Sequence, residues 1–223
     1  MLFFYIILIR VVMNNLIILN KETECIKYLC KKDKRLEKII SQVGEISYQP
    51  YSNGKEFEFL AHEIIEQMLS IKAGTKIYER LEILCEGRVS PIKISQLSID
   101  EIKTIGTSQS KAMSLKGLAE AVISKSIDLD SLQNQSDEEV IKTLTKLHGI
   151  GMWTAKMFLI FALNRPDISP FEDVAFLQSY CWLYKTEDRS KDSVIKRCKK
   201  WKPYSSIAAR YLYRALDLGL TKG

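Results

Sequence analysis

The stretch Leu147-His148-Gly149-Ile150-Gly151-Met152-Trp153-Thr154-Ala155 constrains this chain more than any other. Before it, Val140, Ile141, Leu144 and Leu147 mark one apolar helical face. After it, Trp153 to Leu163 is almost wholly apolar and reads as a buried helix. Two glycines one residue apart let the backbone between them turn tightly and come close to a partner. The second helix starts at that turn, so its first N–H groups lack intrahelical acceptors and face outward, where a phosphate can bind them. The pattern is therefore two helices joined by a hairpin. Asp173 follows a short loop containing Pro166 and Pro170, and opens a further apolar segment with Val174, Phe176, Leu177 and Tyr180.

A chain of 223 residues can bury a real core, as one large domain or two small ones. Its net charge of +6 fits a polyanionic partner, but the excess is modest and suits an ordinary basic protein as well. The five cysteines, Cys25, Cys30, Cys85, Cys181 and Cys198, are scattered without a CxxC pair, which argues against zinc. An odd number without a framework favours a reducing, intracellular compartment. At the N-terminus, Leu2 to Ile9 and Leu16 to Leu19 are apolar, but neither reaches the roughly 20 residues needed to span a bilayer. No basic region precedes the first run, so a signal peptide fits poorly. Met13 offers an alternative start. Residues 1–12 then lie upstream of the natural protein, or else form a strand.

Residues 1–54 form an N-terminal segment, and the turn Pro50 to Gly54 is a natural boundary. Within that segment the run Lys31-Lys32-Asp33-Lys34-Arg35 reads first as a solvated helix face, with phosphate contact as the alternative. From residue 55 to 223 the periodicity is helical. Phe57, Leu60, Ala61, Ile64, Ile65, Met68 and Leu69 mark one face of a helix expected to stop near Gly74. His62 sits beside this stripe and reads as a surface or packing residue. Ile77, Leu81 and Leu84 give another helix. Ser90 to Ser98 reads as a connector, and Ser98-Ile99-Asp100-Glu101 as a helix start. A helix opening at Ser110 or Lys111 carries Met113, Leu115, Leu118, Ala119 and Val122, and Ser136 with its following acids caps the first hairpin helix. A helix follows Asp173, a basic one spans Ser190 to Lys200, and Ser205 to Leu218 is the last. The fold class is all-α, with a short irregular or partly β N-terminal segment.

LxGIGxWTA, a proline-containing loop and an aspartate at this distance resemble the helix–hairpin–helix (HhH-GPD) DNA glycosylase superfamily. Trp153-Thr154-Ala155 and Trp201-Lys202-Pro203-Tyr204 are similar to the 3-methyladenine DNA glycosylase II, or AlkA, type within it, over roughly residues 55 to 218. The resemblance implies an enzyme that flips a damaged base out of double-stranded DNA and hydrolyses its N-glycosidic bond. It implies an α/β lobe ahead of the helical core, which the 50 or so residues available here must reduce or omit. Related endonuclease III-type enzymes hold an iron–sulfur cluster on four closely spaced C-terminal cysteines. Only Cys181 and Cys198 lie there, so no cluster and no required cofactor are expected. The expected protein is an intracellular monomer.

The resemblance also assigns roles. Backbone carbonyls of Thr145, Leu147 and Gly149 would hold Na⁺ or K⁺, and that ion with the N–H groups around Gly149, Ile150 and Gly151 would bind a phosphate. His148 stands where the family often has proline. Gln67 and Met68 align with the segment that probes the minor groove, Met68 filling the gap left by the flipped base. Core for Met68 and solvent for Gln67 are equally open readings. Trp153, Met157 and Tyr213 would line the base pocket, where an electron-rich face attracts a cationic alkylated purine. Trp153 also reads as plain core, and Met157 departs from the usual aromatic. Asp173 would stabilise the oxocarbenium-like sugar, although a helix N-cap explains it too and Glu172 is its rival. Lyase members carry a lysine nucleophile where this chain has Trp153, and Lys156 is a turn further on, so a monofunctional enzyme is expected. Two alternatives stand beside this: a glycosylase for oxidised or deaminated bases, and a non-catalytic DNA-binding protein.

Overall fold

Short polar side chains decide where most of the helices begin. Ser70, Ser90, Ser98, Ser108 and Ser136 each accept a hydrogen bond from the backbone N–H three residues on, and Asp33 and Asp173 do the same work with a carboxylate. In the computed structural model, which describes residues 16–51 and 54–221, the elements run in this order. Strand β1 (Ile17–Leu19) leads into α1 (Glu24–Lys32), α2 (Lys34–Val43) and strand β2 (Ile46–Tyr48). Then come α3 (Glu56–Glu66), α4 (Ile71–Leu84), α5 (Pro91–Gln96), α6 (Ile99–Lys103) and α7 (Gln109–Ile123). The hairpin helices are α8 (Asp137–Leu144) and α9 (Met152–Met157), followed by α10 (Val174–Tyr184), α11 (Lys191–Cys198) and α12 (Ser205–Asp217). The expectation for residues 1–12 lies outside the described residues. No helix among the described residues is long and apolar enough to cross a membrane.

The chain forms two compact units. The first combines the N-terminal segment, to Pro50, with everything from Asn164 onward, and the second is Tyr51–Leu163. The sequence suggested one boundary near residue 54. It carried no sign that the two ends of the chain fold together, because those contacts are long-range.

In the first unit β1 and β2 pair antiparallel, Ile18 opposite Ser47, and are the only strands among the described residues. The amphipathic helices α1 and α2 bury Ile26, Leu29, Leu36 and Ile40 against the apolar faces of α10 and α12. Each such side chain removed from water contributes about 2 kcal/mol. Tyr211 on α12 donates to the Leu19 carbonyl at 3.0 Å, tying the last helix to the first strand.

In the second unit α3, α4 and α7 surround Leu60, Ile64, Ile65, Leu81, Leu115 and Leu118, all buried. Several local expectations change here. α3 ends at Glu66, and Gly74 lies inside α4, where an added Cβ would sit 2.8 Å from Glu66 Cγ; the glycine marks a close approach and not a stop. The supposed connector after Ser90 is the short helix α5, with Pro91 in its first turn. α7 opens at Gln109 because Ser108 caps it, and Met113 is exposed, not core. The apolar run from Trp153 is not one uniform α-helix. Phe158–Ala162 widens into a π-turn, in which Leu163 N–H reaches back to Phe158 O at 2.9 Å.

Candidate functional site

The hairpin belongs to the second unit. Ser136 and Glu139 form a reciprocal capping box that starts α8. After α8 the chain turns, Ile150 N–H closing onto Leu147 O at 3.1 Å while the Ile150 side chain is buried. The two glycines do different work. Gly149 has φ +80° and lies against α7, where a Cβ would be 2.0 Å from Ser114 Oγ; no other residue fits. Gly151 has an ordinary φ of −95°, is exposed, and a Cβ on it would meet nothing within 4 Å. It caps α9 without a side-chain hydrogen bond, so the first N–H groups of α9 receive no acceptor from the cap residue. His148 is exposed, its Nδ1 3.1 Å from Ser114 Oγ.

Behind the hairpin Trp153 is half-buried in the first turn of α9, Met157 is buried one turn on, and Lys156 is half-buried. Thr145 closes α8, its hydroxyl donating to Ile141 O at 2.7 Å. Of the three carbonyls assigned to a cation, that of Leu147 accepts Ile150 N–H, and that of Gly149 accepts the Gln67 amide at 2.8 Å. A carbonyl oxygen has two lone pairs, so neither of these hydrogen bonds by itself bars the carbonyl from a second partner.

Gln67 and Met68 occupy the loop between α3 and α4, also in the second unit. Sequence periodicity carried the apolar stripe through Met68, but the helix has ended by then. Met68 sits in the left-handed region at φ +58° with a side chain 102% exposed, which excludes the core reading. A non-glycine residue held there costs on the order of 1 kcal/mol or more. Gln67 is not simply solvated either: its amide donates to Gly149 O and to Thr154 Oγ1, at 2.8 and 3.1 Å. His62 packs edge-on against Tyr78, with Glu66 3.6 Å from Nε2 and Glu63 4.0 Å from Nδ1. One ligand atom from each of His62, Glu63 and Glu66 lies within 4.8 Å of the others, a spacing that acidic groups often show without an ion.

Asp173 belongs to the first unit. It is 8% exposed, and its Oδ1 accepts Phe176 N–H at 2.6 Å as the N-cap of α10. Its own N–H closes onto Pro170 O at 3.0 Å. The cap fixes one carboxylate oxygen, and an N-cap role does not by itself exclude a chemical one. Glu172 beside it is exposed. The loop leading to Asp173 is held by the start of α12. Ser205 Oγ donates to Asp167 at 2.5 Å, Ser206 N–H to Pro166 O at 2.9 Å, and Ile168 N–H to Ser206 Oγ at 2.8 Å. Tyr213, further along α12, is half-buried. Sequence reasoning missed the serine pair; its signal is Ser205-Ser206 directly after Trp201-Lys202-Pro203-Tyr204.

The model of the HhH-GPD superfamily of base excision DNA repair proteins matches residues 61–203. The chain belongs to this superfamily. Among HhH-GPD proteins it is 31% identical over 196 residues to DNA-3-methyladenine glycosylase 1 of Schizosaccharomyces pombe, covering 86% of each chain. A crystal structure of a DNA-3-methyladenine glycosidase from Bacillus halodurans superposes with a TM-score of 0.77 at 33% identity, over 89% of this chain and 92% of that one. The S. pombe 3-methyladenine DNA glycosylase in complex with abasic DNA superposes with a TM-score of 0.80 at 30% identity, over 87% and 97%. The superfamily match begins in α3 and ends just before α12, so it takes in the hairpin and Asp173 alike.

Proposed function

We propose that this protein is an intracellular, monofunctional DNA glycosylase that removes alkylated purines such as 3-methyladenine from double-stranded DNA. The observation that carries the reading is the relationship, over most of both chains, to proteins named as 3-methyladenine glycosylases. The hairpin and the capped, buried Asp173 supply chemistry that such a reaction needs.

The lesion must leave the stack before its bond can be reached. The exposed turn at Gly149 and Gly151 takes one backbone phosphate on its N–H groups, and a monovalent cation on the Thr145, Leu147 and Gly149 carbonyls would add positive charge beside it. Met68 enters the vacated space. Trp153 and Met157 receive the base, the indole face favouring a cationic purine over its neutral parent. The C1′–N bond then breaks with its electron pair passing to the base, which thereby loses its positive charge. The Asp173 carboxylate stabilises the positive sugar, and water adds to C1′, giving up a proton. The product is an abasic site with an intact strand.

Lyase chemistry needs an amine at C1′. Trp153 occupies the place of that amine, and Lys156 starts about 4.5 Å further along the helix axis. The test is a panel of duplexes carrying methylated, oxidised or deaminated bases, with the released base identified by mass spectrometry. Release of methylated purines and of no other base supports the reading. Release of only oxidised or deaminated bases overturns the substrate, and release of none overturns the enzyme.

A further inference from the structure

Two parts of the proposed machinery, the loop that presents Met68 and the hairpin that takes a phosphate, are joined by the side chains of Lys111, Ser114 and Gln67. α3 ends at Glu66 and leaves its last carbonyls without helical donors. Lys111, on α7, reaches this end: its Nζ donates to Ile65 O in the last turn of α3 and to Gln67 O just beyond it, each at 2.6 Å. An ammonium at a helix C-terminus also meets the negative end of the helix dipole. One turn along α7, Ser114 faces His148 Nδ1 at 3.1 Å and packs under Gly149. The same stretch of α7 therefore holds the loop with one residue and the hairpin with the other. Gln67 closes the figure, its side chain reaching Gly149 O and Thr154 Oγ1 while its carbonyl is held by Lys111. The next residue is Met68, left-handed and fully exposed.

We propose that Lys111 and Gln67 are positioning residues that set the register of Met68 against the phosphate-binding hairpin. A side chain that must enter a duplex at a fixed offset from an anchored phosphate gains from being held at that offset beforehand. Without the two donors from Lys111 the end of α3 frays, and Met68 must be ordered at the moment of insertion. The inference rests on the reading of Met68 as the gap-filling residue.

The test uses the full chain and two duplexes of one sequence, one undamaged and one with a stable abasic-site analogue next to 2-aminopurine. Affinities are read by anisotropy and stacking by 2-aminopurine fluorescence. Lys111→Met is expected to lose roughly tenfold or more in affinity for the abasic duplex, the scale of one charge-assisted hydrogen bond. Its affinity for undamaged duplex should be unchanged and its fluorescence response reduced. Lys111→Arg, which keeps the donors, should recover most of both, and Gln67→Ala should likewise reduce the fluorescence response. The double variant Lys111→Met with Met68→Ala should bind the abasic duplex no more weakly than Met68→Ala alone, because coupled residues are not additive. Additive losses, or equal losses on both duplexes, overturn the proposal. Full abasic affinity in Met68→Ala alone would remove the gap-filling reading beneath it, and is told apart because it does not involve Lys111.

Discussion

The Trp201 indole N–H donates to the Asp33 carboxylate at 2.9 Å, across 168 positions of sequence. The same oxygen accepts the Tyr184 hydroxyl and lies 3.1 Å from Lys200 Nζ, while the other caps α2 through the N–H groups of Arg35 and Leu36. One buried carboxylate thus serves α2, α10 and the turn before α12. In Asp33→Asn the amide would present N–H groups to donors, and the first unit should lose about 3 kcal/mol. Urea unfolding at neutral pH measures it. A loss below 1 kcal/mol would show that the three donors find other partners.

The same group makes stability depend on acid. Burial pushes the Asp33 carboxyl up, but the donors from Tyr184, Trp201 and Lys200 outweigh burial and hold it below the ordinary value. Its contribution is therefore fully present above the unfolded value, about 3.9, and is lost as pH falls through the lower folded value. Melting temperatures taken downward from pH 5 should fall more steeply for the parent than for Asp33→Asn, and parallel curves would contradict the assignment.

Asp173→Asn should keep DNA affinity and lose base release by orders of magnitude. Asparagine can still accept Phe176 N–H through its carbonyl oxygen, so α10 keeps its cap and the change isolates the charge. Single-turnover excision from methylated DNA measures this. Near-parental turnover would move the catalytic role to Glu172 or elsewhere.

Gly149→Ala should fail for two reasons at once. The backbone at φ +80° disfavours a Cβ, and that Cβ would overlap Ser114. We expect a stability loss of about 2 kcal/mol or more, with weaker binding to undamaged as well as abasic duplex. Gly151→Ala meets no protein atom, so it should spare stability and weaken DNA binding alone. Calorimetry and anisotropy on the pair separate the two glycines.

Borohydride added during turnover should trap no covalent adduct, and strands should stay uncut until alkali is added. An adduct that disappears in Lys156→Ala would make Lys156 a nucleophile and the enzyme bifunctional.

What could be read from sequence was what is local. The Ser136 and Glu139 box, the glycine turn and the aspartate opening α10 are each written in a few consecutive residues, and each lies where expected. The end of α3 was not legible, because the apolar spacing runs on through Met68. Lys111 stabilises the break from 44 positions away. Asp33 looked like one charge in a basic run; only the arrival of Tyr184 and Trp201 makes it the buried centre of a unit. The widening at Phe158–Ala162 leaves no mark in an apolar stretch that suits either helix.

The pairing of the chain's two ends has a consequence for biosynthesis. Residues 51–163 form a unit that is continuous in the chain, so it is complete in sequence before the other unit's second half is made. The segment made first must wait for residues made last, since Ile26, Leu29, Leu36 and Ile40 are covered only when α10 and α12 arrive. During that interval the apolar faces of α1 and α2 are open to water, which is the state in which unfinished chains associate.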